Sequence, residues 1–450
     1  MSVRWKRWTL LGVAAALSVV VAASIANAQS TVRGGTAAET LKTYGFPPGD
    51  EIANTRWDDA VKAVAPNDVD RPGSQFSDQQ FLARIASGDV PDLIYVDRQK
   101  IGTFAARGVL LPLTSCIKNN KISMKKFRVA SVREVTYKGK VYALPEFTNP
   151  RTIIVDDKVA SAAGLTPKDF STTNWTKLRA ANKKALKVDG GKVTRIGFDP
   201  KLPEFFPLWA KANGVDLLSK NGLKAQLNSP KAVAALTFAY SLIKDHGGWG
   251  PFKAFRDTWD FFGAENQVAK DQIGAWPMES FYYNVLAQNS PQVNITALPF
   301  TNRKGGPITF ITGNGWAIPK GAKNQAIACK FMQTMTSTQA WVHSSKVRFD
   351  AQRRRNRPFT GLYTANSEAD RKIYEDIYQK MGRADFDNAV HLLVQSNKYS
   401  FALPASPAGA EFNTAMTDAI NRVLAGQQSP RAALNQAQRE AQTAINKAKK

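Results

Sequence analysis

Residues 77–113 read SDQQFLARIASGDVPDLIYVDRQKIGTFAARGVLLPL, and this stretch decides the fold. Ser77 with Gln80 three residues later predicts a capping box, and Phe81, Leu82 and Ile85 supply the apolar face of a helix. Gly88 stops that helix, and Asp89-Val90-Pro91-Asp92 turns the chain. Leu93-Ile94-Tyr95-Val96 is a short unbroken apolar run, the pattern of a strand covered on both faces of a parallel sheet. Asp97 and Arg98 then fall at the carboxyl end of the strand, where open α/β sheets hold their ligands. Asp97 is thus a candidate binding residue, with a helix cap as its competing role.

Outward from this stretch, the bulk properties set limits. A chain of 450 residues exceeds one ordinary domain, so two or more cores are expected. The formal charge of +25 makes a polyanion a partner to weigh, yet the basic residues are spread out. The one dense run is Arg353-Arg354-Arg355-Asn356-Arg357, the pattern of a solvated loop. At the N-terminus Arg4, Lys6 and Arg7 precede an apolar run from Leu10 to Ile25, and Ala26-Asn27-Ala28 offers small residues for signal peptidase. A signal peptide over 1–28, cleaved after Ala28, is expected, and its removal leaves a charge of about +22 (25 less three). A retained membrane anchor is the alternative. The destination is periplasmic, extracellular or at the cell surface. Cys116 and Cys329 are too far apart in sequence for a CxxC site, and they read equally as a disulfide or as two free thiols.

Further along, Gly139-Lys140-Val141-Tyr142-Ala143-Leu144-Pro145-Glu146-Phe147 is followed by the β-branched run Arg151–Val155. Asn174-Trp175-Thr176-Lys177-Leu178 opens a helix, and Ser229-Pro230 caps another. Gln272-Ile273-Gly274-Ala275-Trp276-Pro277-Met278-Glu279-Ser280-Phe281, then Asn294–Pro299, then Ile308–Lys320 (ITFITGNGWAIPK) read as strands, before a helix expected from Asn324 to about Trp341. Taken in order with ASGDVPDLIYVD, these segments resemble the extracellular solute-binding proteins of ABC importers, family 1, the maltose-binding-protein-like group that mostly carries sugars. The resemblance runs from about Leu41 to the end and is carried by the order of several short motifs. Val155-Asp156-Asp157-Lys158 departs from the family's usual Tyr-Asn-Lys-Asp.

The resemblance implies an α/β, two-lobed periplasmic-binding-protein-like fold of type II, with mixed sheets flanked by helices and a ligand cleft between the lobes. Lobe 1 is expected from 39–148 plus 300–344, and lobe 2 from 149–299 plus 345–450. It further implies a monomeric substrate-binding subunit that closes on a sugar or oligosaccharide and docks on the transmembrane subunits of an ABC permease. No nucleic acid is expected. The alternatives are a secreted carbohydrate-active hydrolase working through two carboxylates and an extracytoplasmic polyanion-binding protein.

His246, His343 and His391 are scattered, and no HExxH, GxSxG, GxxxxGK or GxGxxG motif occurs, so no catalytic residues, metal or cofactor are expected. The positive signal is aromatic: sugars offer flat C–H faces ringed by hydroxyls, and suit a mainly apolar pocket with few placed polar groups. Trp276 with Glu279, Trp259 with Asp260, and Trp316 with Asn314 have that mix near strand ends. Trp276 is the platform the family motif nominates; core packing is the ordinary role of such residues. The first loop adds Phe46, Asp50 and Glu51, the acids being equally suited to capping a helix from Ile52. Asn149, in the lobe crossing, and Glu204, in the loop after the strand Val193–Phe198, complete the ligand-binding candidates with Asp97.

Overall fold

Two strands carry the architecture because neither has a polar face. The first four residues of β3 (Leu93–Asp97) and all of β7 (Arg151–Asp156) are buried. Strands buried on both sides need helices above and below. In the computed structural model, residues 38–380 and 382–449 are described. The expected signal peptide and its cleavage site lie outside the described residues.

The first sheet has the order β2 (Asp68–Asp70), β1 (Thr40–Tyr44), β3, β13 (Asn314–Ala317), β6 (Leu144–Pro145). β1 pairs parallel with β2 and β3, whereas β13 runs antiparallel to β3, with Asn314 opposite Asp97. The second sheet has the order β11 (Ile295–Pro299), β7, β10 (Ile273–Glu279), β9 (Lys192–Phe198), β8 (Lys187–Asp189). Two small pairs complete the strands: β4 (Thr136–Tyr137) with β5 (Lys140–Val141), and β12 (Thr309–Phe310) with β14 (Ser400–Phe401).

Around the first sheet lie α1 (Glu51–Val64), α2 (Asp78–Ser87), α3 (Arg98–Ala106), α4 (Thr114–Asn119) and α5 (Val129–Glu134). Later in the chain α12 (Gln325–Met335), α13 (Thr338–Arg354) and α14 (Ser367–Lys372) join them. The second sheet carries α6 (Asp157–Ala162), α7 (Trp175–Ala185), α8 (Phe206–Ala212), α9 (Pro230–Lys244), α10 (Trp249–Arg256) and α11 (Phe281–Asn289). α15 (Ala384–Ser396), α16 (Gly409–Leu424) and α17 (Pro430–Lys449) contribute to the same second core. α16 also reaches the first layer, through Arg107–Glu411 at 2.6 Å and Asn413 donating to Gln99 at 2.6 Å.

The opening stretch folds as its pattern dictates, with one exchange of partners. Ser77 caps α2 by accepting from the Gln80 backbone, and Gly88 ends it at φ +81°. The Gln80 side chain does not return to close a capping box. It accepts from the Tyr44 hydroxyl at 2.9 Å, and that hydroxyl takes the Ser77 N–H instead. The helix expected over Asn324–Trp341 is two helices, because Ser337 accepts from Ala340 N and starts a new one. That second helix continues to Arg354 and packs on α1, so the expected lobe boundary at Ser344 falls inside α13. Cys116 and Cys329 form a disulfide, tying α4 to α12 across 213 residues of sequence.

Buried arginines hold the segments that cross between the layers. Arg98 is fully buried, pairs with Glu134 at 2.7 Å, and donates to the carbonyls of Phe147 (2.6 Å) and Asn314 (3.1 Å). From the second layer, Arg151 donates to the Phe310 carbonyl and to Thr312 Oγ1 (3.2 Å), and pairs with Glu279 at 3.1 Å.

Candidate ligand-binding site

A cavity of about 310 Å3 opens between the two layers. The first layer contributes Phe46 and Asp50 from the loop after β1, Arg56 from α1, Tyr95 from β3, and Glu146 to Asn149 from the crossing. The second contributes Ser280, Phe281 and Asn284 at the start of α11, beyond the carboxyl end of β10. Trp341 and Arg348 of α13 and the segment 360–363 close the remaining side.

The floor is aromatic and rigid. Phe46 stacks on Trp57 (5.8 Å between centroids) and meets Tyr95 edge-on at 4.8 Å. Arg71 lies over both Phe46 and Trp57 and donates to the Pro47 carbonyl at 3.1 Å, fixing the loop. Phe281 forms the opposite wall; at 39% exposure it is among the few large apolar side chains left open to solvent.

The polar groups are charged and already paired. Arg56 forms an ion pair with Glu146 and lies 3.8 Å above the Trp341 ring. Asp50 caps α1 by accepting from Ala53 N at 3.0 Å, while its other oxygen receives Arg348 Nη2 at 2.7 Å. Glu51, one residue further in, takes Arg348 Nε. Burial, reinforced by the adjacent Glu146 carboxylate, pushes the Tyr95 hydroxyl pKa well above its ordinary value, so it stays a neutral donor. Arg56 Nε and the Trp341 indole N–H are buried without a hydrogen-bond partner, whereas Glu146 is held by Arg56.

Of the residues nominated from sequence, Phe46, Asp50 and Asn149 line this cavity, with Glu51 held behind it by Arg348. Asp97 instead takes its competing role, capping α3 by accepting from Gln99 N at 2.8 Å. Trp316 is fully buried behind Phe46, 5.1 Å from its ring. Trp276 is also fully buried, packed edge-on against Trp259, Phe261 and Tyr282 inside the second layer. It points into the core because β10 is covered on both faces; the first open aromatic after the strand is Phe281. Glu279 is the partner of Arg151, and Glu204 and Trp259 line a separate depression with Trp249 and Phe261. Sequence reasoning missed Arg56, Tyr95, Glu146, Phe281, Trp341 and Arg348. The rule that ligands sit past strand ends would have nominated Phe281 over Trp276. Among the described residues no group of His, Cys, Asp and Glu is arranged to hold a metal ion, and no helix is long and apolar enough to cross a membrane.

Two α/β layers with a paired-charge, aromatic cavity between them define a binding protein of the periplasmic receptor class. Residues 50–340 match the family model of bacterial extracellular solute-binding proteins, and the chain belongs to that family. Solved structures with similar folds include CpMnBP1 with mannobiose bound, at 21% identity and a TM-score of 0.72, covering 90% of this chain and 99% of that one. The substrate-binding protein Lmo0181 of Listeria monocytogenes, in complex with cycloalternan, is 18% identical with a TM-score of 0.69, covering 91% and 99%. The maltose/maltodextrin-binding domain of Bdellovibrio bacteriovorus, bound to maltotriose, is 18% identical with a TM-score of 0.67, covering 90% and 100%.

Proposed function

We propose that this protein captures a neutral sugar or short oligosaccharide in the Phe46–Phe281 cavity and delivers it to the transmembrane subunits of an ABC permease. The observation that carries the reading is the lining: two aromatic walls with paired charges and the Arg56 Nε and Trp341 N–H donors between them. A pyranose supplies apolar faces for Phe46 and Phe281 and hydroxyls for Arg56, Glu146 and the Trp341 N–H. A volume near 310 Å3 lies at the small end of ligand pockets, which supports one or two sugar rings. The similar folds solved with mannobiose, cycloalternan and maltotriose support the same class of ligand.

Neutrality follows from pairing. Both guanidinium groups on the cavity, Arg56 and Arg348, already face carboxylates, so among the described residues no free cation lines it for a phosphate or a uronic acid. The same pairing argues against hydrolysis, since Asp50 and Glu146 are each committed to an arginine rather than poised as acid and base. Binding needs only closure of the layers about the crossing segments.

A thermal-shift screen of the mature chain against neutral sugars, sugar acids and sugar phosphates tests the reading. A ligand at a hundredfold excess over Kd stabilises by about 2.7 kcal/mol, a clear rise in Tm. A selective rise with a neutral sugar, lost in Phe281→Ala, is expected. A rise confined to anionic sugars, or one untouched by Phe281→Ala, would sink it.

A further inference from the structure

We propose that a second cavity, between the β4–β5 hairpin and the 220–223 loop, binds a small oligo-anion carrying two or more phosphate groups. This cavity measures about 380 Å3 and is lined by Arg133, Lys138, Lys220 and Lys449, all exposed cations. Among the described residues no carboxylate lines it. That sets it apart, because the sugar cavity has Asp50 and Glu146, and the Trp259 depression has Glu204 and Asp257. A further large cavity, beside the start of α13, has Glu368 and Asp376 among its lysines.

Chain excess charge alone would scatter cations; here the fold gathers them from four separate segments. Arg133 comes from α5, Lys138 from the hairpin turn, Lys220 from the loop after α8, and Lys449 from the end of α17. Lys138 is held in place: with Gly139 it occupies the two left-handed positions of a tight hairpin turn, and its ammonium lies 5.5 Å from the Tyr137 ring. The Arg133 carbonyl is anchored by Ala405 N at 3.1 Å. Like charges held around one cavity repel one another, and a multivalent anion removes that repulsion while gaining the attraction of each. A phosphate group brings up to two charges and three acceptor oxygens, so two or three such groups match the cations present. This site is independent of the sugar cavity, which shares none of its lining residues.

The test is calorimetric titration with inorganic tripolyphosphate at low salt. The cavity variant Arg133→Gln/Lys138→Gln/Lys220→Gln is compared with Arg353→Gln/Arg354→Gln/Arg355→Gln, which removes the same charge from the exposed end of α13. Wild type is expected to bind with a defined stoichiometry near one. The cavity variant should lose about tenfold or more in affinity, and the control should stay within about twofold, since distant exposed charges are screened. Because all six positions are exposed, both variants should keep the wild-type melting behaviour, measured alongside. Equal losses in both variants would mean a response to bulk charge, and absence of binding by wild type would mean no site; either overturns the proposal.

Discussion

Trp276 and Phe281 lie five residues apart and divide two roles that a sequence reading assigns to one aromatic. Trp276 is enclosed by three rings, so Trp276→Ala should cost about 3–5 kcal/mol of stability, read as a lower urea midpoint, with ligand affinity in the folded fraction nearly unchanged. Phe281→Ala should do the reverse, leaving the midpoint close to wild type and weakening sugar binding by about 1–2 kcal/mol, or roughly 5–30-fold. Asp156 gives a pH signature. Its carboxyl is buried and caps α6 through Val159 N at 3.0 Å, while its second oxygen has no partner. Burial, with Asp271 and Asp157 nearby, raises its pKa to about 7. The folded state therefore holds a proton that the unfolded chain releases above about pH 4, so this group lowers stability as pH rises from about 4 to 7. Asp156→Asn keeps the acceptor and cannot ionise. Its Tm should exceed wild type at pH 8, by an amount equivalent to about 1–3 kcal/mol, and the gain should vanish toward pH 4.

Among the elements, the start of α1 and the crossing strands position the site. Arg348, 5% exposed, reaches from α13 to both acids at the α1 terminus. Arg348→Gln removes both ion pairs but leaves the Asp50 cap on Ala53 N. It should therefore loosen the 45–50 loop, seen as faster amide exchange there, and weaken sugar affinity about threefold or more, while the overall melt shifts by only about 1 kcal/mol because the two acids are partly exposed. Gly313 marks the second crossing. A Cβ there would stand 2.5 Å from both Arg98 Nη1 and the Phe147 carbonyl, inside the hydrogen bond by which Arg98 holds the first crossing segment. Gly313→Ala should destabilise the protein by about 1–3 kcal/mol in a denaturant melt.

At the level of the whole molecule, the Cys116–Cys329 bond sits in the first layer and spans a sequence separation of 213 residues that includes every strand of the second sheet. Replacing both cysteines by alanine should lower stability by about 2–4 kcal/mol, and reductant should no longer shift the melt of that variant. The layer architecture itself was legible in the chain: the unbroken apolar runs of β3 and β7 need cover on both faces, and the caps at Ser77, Asn174 and Ser229 start helices where they were expected. The site was legible only in part. Phe46, Asp50 and Asn149, nominated from sequence, line the candidate cavity because they sit in loops flanking the strands that face it, where local reading suffices.

Local chemistry acts over a few residues, and so the sequence by itself determined the strands, the helix starts and the family resemblance. Side-chain pairing acts across hundreds of residues, and only the tertiary structure decided it. Arg56 finds Glu146, Arg348 finds Asp50, and Cys116 finds Cys329 because packing of apolar faces brings distant segments within bonding range. The same packing turned Trp276 and Trp316 inward and left Phe281 at the cavity wall. Burying a large ring removes more apolar surface from water than any local pattern can specify, so which aromatic faces the ligand is settled by the whole core.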